Sequence, residues 1–228
     1  MAESPYIELH AHSAFSFLDG ASTPMELAAA AAEHGYPALA LTDHDGVWGS
    51  MEFAHACAGF GIRAITGTEL TVATGPRVLS RNGTHRPCGA VAPRAGPPHS
   101  VPPTASHLTL LVESAIGYRN LCRLLTEAHS HTRDNTGRTL EQPWVTLEQV
   151  EEHAEGLVCL SGCAGDGAVA GTWARGDPAG AAALARRLLG AFGRERFRVE
   201  LQRPWWRHDR ARNDWLAGLA ERLGVPAV

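Results

Sequence analysis

The stretch "ELHAHSAFSFLDG", residues 8–20, places His10 and His12 two residues apart, with Asp19 in the turn that follows. Side chains at i and i+2 of a strand share a face, with Cα atoms about 6–7 Å apart. The pair can therefore hold one metal ion or two neighbouring ones, or it is a chance pair on a solvent face. Other donors decide between these readings. Later strand ends supply Thr42-Asp43-His44-Asp45, then Gly67-Thr68-Glu69, then Cys163 after "LVCLSG". His107 stands at the start of its strand, "HLTLLVES", rather than at its end. Imidazole, carboxylate and thiolate are the groups that ligate divalent transition metals. In an α/β barrel the active site lies at the C-terminal strand ends. The set is more specific than any member, since each has a plain alternative. Asp19 with Gly20 makes a turn, and Asp45 serves as a turn or cap residue. Asp43 either does the same or hydrogen-bonds a ligand histidine from behind. Glu69 reads equally as an exposed edge residue, and Cys163 as a small inert hydrophobe.

Such donors need elements to carry them. Tyr6 to His12 alternates like a short strand. "STPMELAAAAAEHG" reads as a helix capped by Ser22 or Thr23, with Pro24 at its first position, Glu26 in its first turn and Gly35 at its end. "PALALTDHD" is a buried strand, "GSMEFAHACAGFG" a helix closed by Gly61, and "IRAITGTELTV" a strand region broken at Gly67. This β-α-β-α-β order has the spacing of parallel α/β units. Residues 75–106 interrupt it. They are rich in Pro, Gly and Arg and lack periodicity, so an exposed, partly disordered insertion is expected, with a hairpin start at Asn82-Gly83. "AIGYRNLCRLLTEAHSH" predicts a helix with Ile116, Leu121, Leu124 and Leu125 inward. Further helices are expected over "TLEQVEEHAEG", Gly167 to Arg175, Pro178 to Phe192 and "DRARNDWLAGLAERLG", the last carrying Trp215, Leu216, Leu219 and Leu223 on one side. "RFRVELQ" is a strand and "VPAV" begins another. His34, His55, His129, His131, His153 and His208 are read as solvated, and His85 and His99 as incidental.

Composition narrows the classes. A net charge of −4 gives no bulk basic field for nucleic acid. Five cysteines in no framework spacing, without a signal peptide, predict a reduced, cytoplasmic protein. No apolar run approaches the roughly 18 residues of a membrane span, so no membrane partner is expected. No glycine-rich dinucleotide loop or Gly-Lys-Ser/Thr loop is present, and Ser161 lacks a nucleophile-elbow pattern.

"ELHAHSAFSFLDGASTPMELAAAAAEHGYPALALTDHDGVWGSMEF" resembles the opening of the polymerase-and-histidinol-phosphatase (PHP) domain. It is most similar to the version at the N-terminus of bacterial C-family DNA polymerases, the DNA polymerase III alpha subunits. "GTEL", "HLTLLVESAIGYRNLCRLLT", "GLVCLSGCAGD" and "RFRVELQRP" follow in that family's order, and "ELQRPWWRHDRARNDWLAGLAERLGVP" points to its error-prone paralogue. The resemblance implies a PHP domain over residues 5–228, a distorted seven-stranded (β/α) TIM-like barrel. It implies metal ligands at His10, His12, Asp19, His44, Glu69, His107 and Cys163, up to three divalent ions, zinc or manganese, and Asp43 behind them.

The family pattern closes with an Asp-x-His pair after the strand that "VPAV" begins. The expectation is therefore a barrel incomplete at its C-terminus, without the polymerase domain, from a longer protein or a truncated gene product. The implied activity is metal-assisted phosphoester hydrolysis, giving 3′–5′ exonuclease activity in a parent DNA-directed DNA polymerase. That parent would use magnesium in its polymerase part, bind DNA and partners such as the sliding clamp or mutasome subunits, and act in replication and damage-tolerant repair. The alternatives are a stand-alone histidinol-phosphatase-like phosphoesterase and a catalytically silent, metal-stabilised scaffold.

Overall fold

The computed structural model describes residues 6–74, 105–130, 132 and 142–228. Two compact units divide the chain, Met1–Glu69 and Leu70–Val228.

In the first unit, helix α1 (Pro24–Glu33) starts at Thr23, whose hydroxyl accepts from the Glu26 amide while the Glu26 carboxylate accepts from the Thr23 amide. This reciprocal cap satisfies two otherwise orphaned donors. Gly35, at φ 71°, turns the chain into strand β1 (Ala38–Leu41), all four residues of which are buried. Helix α2 (Ser50–Phe60) ends at Gly61 in the left-handed region. Ala28 and Ala31 of α1, Leu39 and Leu41 of β1, and Phe53 and Cys57 of α2 form the core. Strand β2 (Arg63–Ala73) lies parallel to β1, pairing Ala38 with Arg63 and Leu41 with Thr66, and a further parallel bridge joins His44 to Glu69.

Two expectations change here. Gly67 does not break β2, which runs through it. The Thr68 hydroxyl donates to the Asp43 carbonyl at 2.8 Å and accepts from the Gly46 amide at 3.1 Å, tying β2 to the turn after β1. The expected first strand is instead an extended segment with one bridge, Glu8 to Leu39. The Glu8 carbonyl accepts from Ala40 and the Ala11 carbonyl from Thr42, three residues on one side against two on the other. That extra residue is a bulge, and the His10 amide turns to the Glu8 carboxylate at 3.0 Å.

The second unit takes up the end of β2 and adds β3 (Ala105–Val112), β4 (Val145–Thr146), β5 (Leu157–Leu160) and β6 (Phe197–Arg198). The order is β2-β3-β5-β6, with β4 parallel to β2 at Val72 and Ala73. β5 and β6 are parallel, and Val199 bridges Ala227 in parallel, so "VPAV" does extend beside β6. β3 departs from the expected parallel run and lies antiparallel to β5. The crossover rule binds consecutive strands joined by one helix; β3 reaches β5 only through helix α3 (Ala115–His129), β4 and helix α4 (Leu147–Glu152). Helices α5 (Ala168–Ala174), α6 (Pro178–Phe192) and α7 (Asp209–Leu223) complete the unit.

The helices largely follow their apolar patterns, with two corrections. Ile116 is exposed, because the inward stripe of α3 runs Gly117, Asn120, Leu121, Leu124, Leu125 and Ala128. On α7, Trp215 is only half-buried, and the inward face instead holds Arg212, ion-paired with Asp209 at 2.9 Å. Of the expected insertion, residues 75–104 lie outside the described residues, as do Asn82-Gly83, His85, His99 and His131, while Ala105 and Ser106 already belong to β3. Among the described residues no helix is long and apolar enough to cross a membrane.

Candidate metal centre

The extended segment, its following loop, the end of β1 and the middle of β2 bring five donors of the first unit together. His10 Nε2 lies 3.2 Å from His12 Nε2 and 3.5 Å from Glu69 Oε1. His12 Nε2 lies 3.3 Å, and His44 Nδ1 3.0 Å, from Glu69 Oε2. His44 Nε2 is 3.2 Å from Asp19 Oδ2, which also meets His12 Nδ1. Bonds of 2.0–2.1 Å to one tetrahedral ion set ligand atoms about 3.4 Å apart, so these separations suit shared coordination. Within the first unit, two groups of three keep their ligand atoms within 4.8 Å of one another, His10-His12-Glu69 and His12-Asp19-His44. Side-chain exposure rises from 2% at Glu69 through 16% at His12 and 30% at His44 to 37% at Asp19, so the cluster has a buried floor and a solvent-facing mouth. Nitrogen donors with two carboxylates fit a divalent metal ion.

His12 links both triads. Burial would lower the pKa of this imidazole, but hydrogen bonds to the Asp19 and Glu69 carboxylates outweigh that and raise it to about 9. In return, hydrogen bonds from His12 and His44 hold Asp19 well below the usual carboxylate range. A neutral imidazole has one nitrogen lone pair to give. With Nε2 turned to His10 and Glu69, His12 Nδ1–H donates to Asp19, the carboxylate–histidine arrangement that orients a metal ligand.

A hydrogen-bond scaffold absent from the sequence reading holds this geometry. The Asp43 carboxylate is buried and accepts from the Ser13 amide at 2.8 Å, from the Ser13 hydroxyl at 2.9 Å and from the Ser16 hydroxyl at 2.8 Å. Among the described residues it bonds no histidine ring. Ser16 Oγ also accepts from the His44 amide at 3.1 Å. Asp43 therefore acts on the loop that carries Asp19 and on the backbone of His44. Gly20 closes the loop, since a Cβ there would sit 1.9 Å from the Ser13 carbonyl oxygen. Glu69 is deeply buried rather than an exposed edge residue, and Asp45 forms a left-handed turn at φ 46° whose amide donates to the Glu69 carbonyl.

His107 and Cys163 belong to the second unit. His107 is the third residue of β3, and its amide donates to the Asp166 carbonyl at 2.8 Å. Cys163 is half-buried in the turn after β5. That turn presses on β3: Gly162 has φ 95°, and a Cβ there would lie 2.2 Å from the His107 carbonyl oxygen. The nearby Cys159 thiol is pushed upward in pKa by burial and is inert. His153, expected on the surface, is half-buried, with Nδ1 2.9 Å from the Gln149 carbonyl. His34, His55 and His208 are exposed.

Comparison with known proteins agrees with the sequence resemblance. The PHP domain family model matches residues 8–204. The error-prone DNA polymerase of Mycolicibacterium paratuberculosis is 39% identical over 225 residues, 98% of this chain and 18% of its own length. The DNA polymerase III subunit alpha of Treponema pallidum is 33% identical over 228 residues, again 18% of its length. The chain thus spans about a fifth of the length of the polymerases it matches. An amidohydrolase from Chromobacterium violaceum aligns with TM-score 0.56 and 18% identity, covering 97% of this chain and 84% of its own. A protein of Bifidobacterium adolescentis, provisionally assigned as a metal-dependent phosphoesterase, aligns with TM-score 0.56 and 13% identity, covering 98% and 88%. These likenesses show the fold, a mixed α/β architecture with a parallel-rich sheet.

Proposed function

This chain belongs to the PHP domain family, and from that premise we propose that its histidine–carboxylate cluster is a divalent-metal site for phosphoester hydrolysis. The observation that carries the reading is the convergence of His10, His12, Asp19, His44 and Glu69, with donor atoms 3.0–3.5 Å apart around one buried carboxylate. Zinc or manganese suits this donor set, and such an ion, when bound, acts as a Lewis acid on water and on phosphoryl oxygens. The protein's own groups do the rest. Glu69 and Asp19 offset cationic charge, Asp19 fixes the His12 ring, and Asp43 holds the loop through Ser13 and Ser16. For His107 and Cys163 as further ligands the support is the sequence resemblance.

The polymerase relatives extend the proposal. We place the chain in an error-prone DNA-directed DNA polymerase of the cytoplasm, acting on DNA in replication and damage-tolerant repair beside subunits such as the sliding clamp. The cluster would there serve 3′–5′ exonuclease chemistry. The test is metal content together with hydrolysis of p-nitrophenyl phosphate and of a 3′-mismatched primer. Bound zinc or manganese with hydrolysis of the mismatched primer is expected, both lost in His12→Ala. Metal uptake with neither hydrolysis turns the reading to a metal-stabilised scaffold; hydrolysis of the small ester alone favours a free phosphoesterase; no metal uptake overturns it.

A further inference from the structure

Trp48 is not a donor of the metal cluster, yet it is bonded to the backbone of one, His44. It is 56% exposed, large for an indole. Its position is not loose. The indole Nε1–H donates to the carbonyl of His44 at 3.2 Å, so the ring's polar edge is fixed to the residue whose imidazole joins Glu69 and Asp19. Gly46 makes room for the ring: a Cβ there would lie 2.2 Å from indole Cε2 and Nε1. The turn therefore keeps an indole packed on its backbone, preorganised and still more than half open to solvent. A ring placed this way offers stacking area at little entropic cost, and every nucleobase has a face that stacks on it.

We infer that Trp48 is a base-stacking platform beside His44, which makes the site favour a phosphoester that carries a nucleobase over one that does not. The inference rests on reading the cluster as a phosphate-directed metal site. It adds what that reading lacks, a group on the protein that separates a nucleotide ester from a small phosphate ester.

The test is binding by the full chain, loaded with zinc, of a fluorescein-labelled phosphorothioate thymidine hexamer and of the same backbone without bases. The unaltered chain should bind the thymidine hexamer about 5- to 150-fold more tightly, the range of one base–aromatic stack. Trp48→Ala should abolish that preference, Trp48→Phe should keep most of it, and Gly46→Ala, whose Cβ displaces the indole, should weaken it. Equal affinity for both ligands, or a preference that survives Trp48→Ala, overturns the inference. Zinc content measured in the same samples separates the two readings. A chain that takes up no zinc but keeps a Trp48-dependent preference supports the platform and overturns the metal centre. A zinc-loaded chain without any base preference does the reverse.

Discussion

At the residue scale His12 and Asp19 form an ion pair even without metal. His12 is raised from 6.5 to about 9, and Asp19 is depressed from 3.8. A raised base contributes stability in full below its unfolded pKa and loses it as pH climbs through the folded value. A depressed acid contributes above its unfolded pKa and loses it as pH falls. A chelator-treated chain should therefore be most stable between about pH 4 and 6.5, weakening toward pH 9 and again in acid; urea midpoints across pH check this. Zinc should remove the alkaline decline, because it takes the place of the proton. Asp43→Asn exchanges a buried carboxylate with serine donors for an amide. It should cost about 2–3 kcal/mol, the scale of charged hydrogen bonds, and weaken zinc affinity about 10- to 100-fold through the loosened loop, read by denaturation and competition with a chelating dye.

At the element scale, α1 offers the clearest local test. Thr23→Ala removes the cap hydroxyl and should destabilise the first unit by about 1 kcal/mol, with Ser22→Ala nearly silent; thermal melts of the two variants decide. This cap was legible in the sequence because its partners lie three residues apart. So were Gly35 and Gly61 as helix ends. Of the expected strand-end donors, His44 follows the end of β1, whereas Glu69 lies within β2 and His10 and His12 lie on an extended segment. Other features are set by partners far along the chain. The bulge at Ala11 depends on β1, roughly thirty residues on, and the continuity of β2 through Gly67 depends on Thr68 reaching Asp43. The serines that hold Asp43 carry no spacing signal of their own. Ile116 at the start of α3 fits two apolar stripes, and packing selects the one through Gly117.

At the scale of the molecule, the α/β class and the order of elements follow from the alternation of helical and strand patterns, whereas the direction of β3 does not. The second unit holds itself partly by polar locks. Arg212, nearly fully buried, pairs with Asp209 and donates to the Gln202 carbonyl at 2.6 Å, clamping α7 to the segment after β6. Arg212→Ala should strand Asp209 and destabilise that unit by about 3–5 kcal/mol, the loss expected when one partner of a buried pair is removed, visible as a lowered unfolding midpoint. The reach of Asp43 back to Ser13 and Ser16 has a consequence in time. The Asp19 loop cannot be held until a crossover through α1 has already brought β1 alongside, so the donors are expected to assemble late in folding. Refolding in zinc should then be no faster than without it, and the ion should act almost wholly by slowing escape from the native state.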